Sequence, residues 1–207
     1  GSYLPEKIMT NEDWSKIVDT TDEWITTRTG IKERHFAAED EATSDLIAKA
    51  GAIAIEDAGI DKDDIDVIIV ATVTADNAYP STGNWVQKKL GMKTIPSFDI
   101  SAGCSGFLYA SILANSFIQS GVARNVMVAG AETMSRVFNW NDRGTCVLFG
   151  DGAGVAIYGT GEAPKGILST YWGADGNLGE LLIQPAGGSA MPASEKTVSE
   201  NLHTVHM

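Results

Sequence analysis

Cysteine, histidine and basic residues are scarce in this sequence. Its 207 residues include two cysteines and three histidines. Two cysteines cannot build a disulfide framework or a four-cysteine zinc site. Cys104 and Cys146 stand far apart, which excludes a CxxC redox pair. His203 and His206 have no third ligand beside them in the sequence, so no metal is expected. Lys and Arg number 15 against 27 Asp and Glu, a formal net charge of -12. A phosphate-binding surface needs a basic stripe, so no nucleic-acid partner is expected. No apolar run approaches a membrane span, and no charged-then-apolar signal segment opens the sequence. The expectation is a protein of the reducing cytoplasm with no membrane partner. Short internal repeats, low-complexity tracts and linkers are also lacking.

The remainder is ordinary globular composition, with 43% apolar and 20% charged residues. "NEDWSK" and "TDEW" read as helix starts, with Asn11 and Thr21 as N-caps and acidic residues in each first turn. Residues 42–59 carry a helical pattern through Ile47, Ala50, Ala54 and Ala58, closed by Gly59. "IDVIIVATVT", 65–74, is a β-branched run of the kind that forms a strand buried on both faces. After a loop with Pro80, a helix is expected near 81–90 and a second strand at "IPSFDIS". "SGFLYASILANSFIQSG" reads as a helix apolar on nearly every side, hence buried inside the domain. "RNVMVAGAE" reads as a third buried strand. "TCVLFGDGAGVAIYGT" reads as a strand, a glycine turn and another strand. Alternating strands and helices predict an α/β protein with a mainly parallel central sheet covered by helices.

Cys104 falls where a buried strand hands over to the apolar helix, between Gly103 and Gly106. A helix N-terminus presents unpaired N–H groups and partial positive charge, which favour a thiolate. The position therefore suits covalent catalysis. A small buried hydrophobe is the competing reading. A serine elbow at Ser105 fails, because G-x-S-x-G needs glycine where Phe107 stands. Cys146, inside "TCVLF", reads as core. "GDGAG", 150–154, leads into an apolar strand rather than a helix, so it is not a phosphate loop. Trp24 near two arginines could stack a planar ring, but nothing in the spacing brings Arg28 and Arg143 to it.

Five stretches occur in order: "GSYLPE", "DEWITTRTGIKERH", "DISAGCSGF", "NDRGT" and "FGDGAG". Together they resemble the β-ketoacyl-acyl-carrier-protein synthase III family of the thiolase superfamily. The resemblance implies a thiolase-like fold of two pseudo-symmetric α/β halves, with Cys104 as the nucleophile. It implies transfer of an acyl group from acyl-CoA, commonly acetyl-CoA, and condensation with malonyl-acyl-carrier protein with loss of carbon dioxide. CoA is then a substrate and no cofactor is expected. Trp24 and Arg143 match the residues that sandwich the adenine, and Arg28 matches a phosphate contact. Thr20 and Gly144 line the same entrance. Phe149 walls the acyl pocket, and Tyr79 falls on the loop that reaches the partner's pocket in the family homodimer.

The family's catalytic histidine and asparagine lie in motifs of the "PHQAN" and "HGNTSAAS" type. Neither occurs here, and His35, His203 and His206 do not match them. The expectation is therefore an N-terminal portion. Residues 1–160 would form the first half-domain, and 161–207 a region leading to a second one. Such a portion is expected to be inactive alone. A related acyltransferase with another acceptor and a non-catalytic dimerisation domain are the competing readings.

Overall fold

The protein is described from a computed structural model covering residues 1–161 and 166–207. The beginning of the expected connecting region, at 162–165, lies outside the described residues. In chain order the elements are β1 (Ser2–Tyr3), β2 (Lys7–Thr10), α1 (Asn11–Trp14), α2 (Asp22–Thr29) and β3 (Glu33–Phe36). Then come α3 (Thr43–Ala58), β4 (Val67–Ala71), α4 (Thr82–Leu90), β5 (Ser97–Ile100) and α5 (Gly106–Gln119). The last are β6 (Asn125–Thr133), α6 (Arg143–Cys146), β7 (Asp151–Gly159) and α7 (Glu195–Ser199). They gather into two compact units. One comprises Gly1–Pro5, Ala37–Thr133 and Gly152–Trp172, and the other Glu6–Phe36, Met134–Asp151 and Gly173–Met207.

The first unit holds a five-stranded sheet in the order β1-β7-β6-β4-β5. β4 runs parallel to both β5 and β6, and β1 runs antiparallel to β7. All five residues of β4 are buried. Ile68 and Val70 face a core shared with Leu46, Ile47, Ala50 and Val86 of α3 and α4. Val67, Ile69 and Ala71 face a second core with Ala110 and Ala114 of α5. A strand covered on both faces can be apolar at every position, which is what the uninterrupted run encodes.

α5 rests on the sheet through its smallest residues. Gly106, Ala110 and Ala114 recur every fourth position and are all buried. A Cβ on Gly106 would lie 3.0 Å from the Ala71 Cβ, and one on Gly130 of β6 would lie 3.1 Å from the Phe107 ring. The expectation of a helix buried all round is corrected here. One stripe is buried, while Leu108 on another side is 63% exposed. Apolarity predicts burial only if neighbouring elements exist on every side.

Two carboxylates cap helices from a distance. Asp99 of β5 accepts the backbone N–H of Thr82 at 2.6 Å and of Gly83 at 2.9 Å at the start of α4. Asp76 accepts the Ser44 N–H at 2.9 Å and its hydroxyl at 2.6 Å at the start of α3. Neither Ala42 nor Ser81, the residues at the N-cap positions, makes a side-chain cap bond. Gly59 ends α3 in the left-handed conformation, as its position suggests.

The second unit is built on a two-stranded ribbon, β2 against β3, with α1 and α2 between the strands in sequence. Its core joins Met9, Trp14, Ile25, Phe36, Phe138, Cys146 and Val147. Thr21 caps α2 as expected, accepting the Trp24 N–H. Asn11 does not cap α1. Thr10 does, exchanging bonds with Asp13, while the Asn11 amide is buried and donates to Asp22 and to the Ile31 carbonyl. The reading of 145–154 is also corrected. Thr145 and Cys146 lie in α6, whose start is capped by Asp142, and "GDGAG" runs from the turn at Gly150 into β7. Short apolar runs do not distinguish strand from helix by periodicity. Gly152 fits its strand because a Cβ there would lie 3.1 Å from Leu4 beside β1. Among the described residues no helix is long and apolar enough to cross a membrane.

Gly106→Val should destabilise the protein by about 1–3 kcal/mol through overpacking against Ala71. Urea unfolding checks this, and unchanged stability would refute the close approach of α5 to β4.

Candidate active site

The turn that presents Cys104 is short because glycine begins it. β5 ends at Ile100, and Gly103 takes a left-handed φ of 53°. Gly103–Ser105 then form a single 3-10 turn whose first carbonyl accepts the Gly106 N–H. α5 begins immediately after. Cys104 is exposed on this turn, so it is not a packing residue of the first unit. Cys146 is the opposite case. Its side chain is fully buried, and burial, aided by the Asp142 charge, pushes the thiol up to about 11. The sequence placed Cys146 in a strand. It is core as expected, but within α6.

In the second unit α2 and α6 bring three side chains together. Trp24 lies in the first turn of α2 and Arg28 one turn later, with its guanidinium carbon 4.7 Å from the Trp24 ring centroid. Arg143 opens α6, and its guanidinium carbon is also 4.7 Å from that centroid. Its Nη1 donates to the Asp19 carbonyl at 2.7 Å. The next residue, Thr20, has a buried hydroxyl without a hydrogen-bond partner among the described residues. The Gly144 N–H donates to Asp142 Oδ1 at 2.9 Å, and a Cβ on Gly144 would lie 3.2 Å from that oxygen. Phe149 is half-buried against the aromatic core of the same unit. Tyr79 belongs to the first unit, on the loop between β4 and α4, and is 86% exposed.

The structure also supplies groups that sequence reasoning missed. Arg34 is buried in β3, and its Nε donates to the Val147 carbonyl at 2.9 Å. Its Nη2 reaches the same carbonyl, and its Nη1 reaches Asn11 Oδ1. Burial lowers its pKa. This guanidinium ties β3 to the segment that follows α6, and so holds the helix that carries Arg143. The signal was available, since Arg34 alternates with Phe36 on the inner face of β3. Glu132, at the end of β6, is a second such group.

A family profile described as 3-oxoacyl-[acyl-carrier-protein (ACP)] synthase III matches residues 98–176, which include Cys104. The β-ketoacyl-[acyl-carrier-protein] synthase III of Caldanaerobacter subterraneus subsp. tengcongensis is 58% identical over 207 residues, all of this chain and 62% of the relative. Along its whole length the chain matches the β-ketoacyl-acyl-carrier-protein synthase III family. The family member from Clostridioides difficile is 53% identical over the whole chain and 63% of its own length. A crystal structure of the Aquifex aeolicus synthase III matches all of this chain and 62% of its own, with 45% identity and a TM-score of 0.88. The Thermus thermophilus synthase III matches with 40% identity and the same TM-score of 0.88, over 63% of its length. The fold is thus the expected thiolase-like α/β arrangement, and the chain spans about three fifths of the length of these family members.

Brief iodoacetamide treatment of the native chain near neutral pH should modify Cys104 and spare Cys146. Exposure at a helix start separates the first from a buried thiol. Peptide mapping reads the outcome, and equal labelling of the two would remove Cys104 as the candidate nucleophile.

Proposed function

We propose that this chain is the nucleophile-bearing part of an initiating β-ketoacyl-acyl-carrier-protein synthase of the cytoplasm. The observation that carries the reading is the exposed Cys104 at the start of α5, in a chain 58% identical to a synthase III over all its residues. The Cys104 thiolate attacks the thioester carbonyl of acyl-CoA. The C–S bond to CoA breaks, CoA leaves as its thiolate, and an acyl-cysteine remains. Malonyl-acyl-carrier protein then loses carbon dioxide, and the resulting enolate attacks the acyl carbonyl. The Cys104 sulfur departs with its electron pair, and β-ketoacyl-acyl-carrier protein is released.

Trp24, Arg28 and Arg143 form the nucleotide-recognition cluster. Trp24 offers a ring for the adenine, and the two guanidinium groups offer charge to it and to the phosphates. Thr20 and Gly144 line the entrance beside them. Tyr79 and Phe149 wall acyl pockets, Tyr79 that of a second copy. β5 stands at the edge of its sheet, where an unpaired strand can continue the sheet across a two-fold axis into that copy. Negative charge builds on the malonyl thioester during decarboxylation, and hydrogen-bond donors must meet it. Loss of one such donor costs about 3–4 kcal/mol. The sequence of this chain holds no motif of the "PHQAN" or "HGNTSAAS" type to supply them.

The chain alone should therefore release no carbon dioxide from malonyl-acyl-carrier protein. Extended with the remaining part of the Caldanaerobacter relative, it should do so when acetyl-CoA is present. Turnover by the isolated chain at the rate of a whole synthase would overturn the assignment of the catalytic groups. In the extended protein, Trp24→Ala should weaken CoA binding by about 1–2 kcal/mol, the size of a desolvated cation–π contact plus lost area. Calorimetry showing an unchanged Kd would remove Trp24 from the nucleotide site.

A further inference from the structure

The parallel strands place Glu132 and Cys104 at the same edge of the sheet. Ala71 of β4 is level with Ile100 of β5 on one side and Gly130 of β6 on the other. Cys104 follows Ile100 by four residues, and Glu132 follows Gly130 by two. The loop from β4 to α4 leaves from this edge as well.

Glu132 grips the root of that loop. Its Oε1 accepts the Val73 N–H at 2.9 Å. Its Oε2 accepts the Thr74 N–H at 3.1 Å and the Thr72 hydroxyl at 3.2 Å, as well as the Thr74 hydroxyl. Every partner is a donor within three consecutive residues, so the arrangement calls for two acceptor oxygens, which a carboxylate has and an amide does not. Burial raises the pKa of this carboxyl group, and the loop's donors oppose that rise. Burying a carboxylate is costly unless its oxygens are hydrogen-bonded, and here the loop's donors meet both of them.

The same loop is pinned at further points. The Thr43 hydroxyl donates to the Thr74 carbonyl at 2.6 Å, and the Thr133 N–H donates to the Thr74 hydroxyl at 2.9 Å. Asp76 is held at the start of α3, and Asp99 takes the two N–H groups at the far root, Thr82 and Gly83. Between these anchors Tyr79 stands exposed. The loop is built to present one aromatic side chain at a fixed height.

We propose that Glu132 is a positioning residue for acyl-chain selection, because it sets the root of the loop and hence how far Tyr79 reaches into an acyl pocket. The inference rests on the reading of Tyr79 as a pocket wall. Oε2 also lies 3.2 Å from the Val73 N–H, and Glu132→Gln leaves a single acceptor oxygen with two lone pairs and sets an NH2 group against the loop, so the four donors of Thr72, Val73 and Thr74 cannot all be met. In the chain extended as above, kcat/KM is measured with acetyl-CoA and with hexanoyl-CoA. Glu132→Gln should raise the hexanoyl-to-acetyl ratio about tenfold, the scale of a small change in an apolar pocket. Tyr79→Ala should raise it at least as much. The double variant should shift it no further than Tyr79→Ala alone, because Glu132 acts through Tyr79. A general loss of structure would instead add to the Tyr79→Ala effect and speed the modification of Cys146. Thr72→Val removes one donor to Glu132, and with it the hydroxyl that accepts the Thr74 N–H at 3.1 Å, at nearly constant shape. It should raise the ratio about twofold to threefold even if Glu132→Gln does not fold. An unchanged ratio in Thr72→Val and Glu132→Gln, with a shift in Tyr79→Ala, would overturn the role of Glu132 and leave the Tyr79 reading intact. No shift in Tyr79→Ala would remove that reading and this proposal together.

Discussion

The close approach of α5 to the sheet is the constraint on which the first unit depends. A Cβ at Gly106 would lie 3.0 Å from Ala71, and Gly130 leaves room for the Phe107 ring. Larger residues at either position would lift the helix from β4 and β6, and its first turn would move with it. The helix start is also the base on which Cys104 stands. Apolar packing on one side of the sheet therefore fixes a polar, exposed atom at its edge. Hydrogen bonds do the same for the neighbouring loop, with Asp76, Asp99 and Glu132 each accepting two backbone or side-chain donors or more. Side-chain carboxylates thus replace the local caps that Ala42 and Ser81 do not supply.

The second unit uses another device. Its aromatic core stacks Trp14 on Trp140 with centroids 5.3 Å apart, and sets Phe36 and Phe138 around them. Beside this core the Arg34 guanidinium crosses from β3 to the Val147 carbonyl. Among the described residues this buried cation is bonded to neutral oxygens, those of Val147 and Asn11, and such burial is costly to keep. It joins two segments 113 residues apart in sequence, and one of them carries Arg143. The same segment brings the exposed Arg143 of α6 to Trp24 of α2.

Much of this was legible in the sequence, and the particular failures have physical causes. β4 announced itself because both its faces are covered. α3 did so through its spacing and its terminal Gly59. The turn at Cys104 was visible as glycines between a strand pattern and a helix pattern. The meeting of Trp24 with Arg143 was not, since it depends on a contact across more than a hundred residues. Only the resemblance to known motifs anticipated it. Asn11 does not cap α1 as its residue type predicts, because its side chain satisfies a tertiary network in preference to its own helix. The segment 145–154 departs from the expected strand–turn–strand because its apolar residues are too few to show a period, and because Gly152 serves close packing beside Leu4 rather than a turn. Glu132 carried no sequence signal at all. Its role comes from strand register, which brings its carboxylate to residues about sixty positions earlier.

The contact between Arg143 and Trp24 has a thermodynamic consequence for whatever stacks on that indole. The ring is not bare: two guanidinium carbons stand 4.7 Å from its centroid. A planar ring cannot be inserted between Trp24 and either guanidinium at that separation, because a stacked pair alone needs a comparable distance. Entry on the Arg143 side would exchange one cation–π contact for a ring stack and release the bond to the Asp19 carbonyl. The affinity measured for such a ligand is then a difference between two occupants of one surface, and the arginine's own attraction to the indole lowers it.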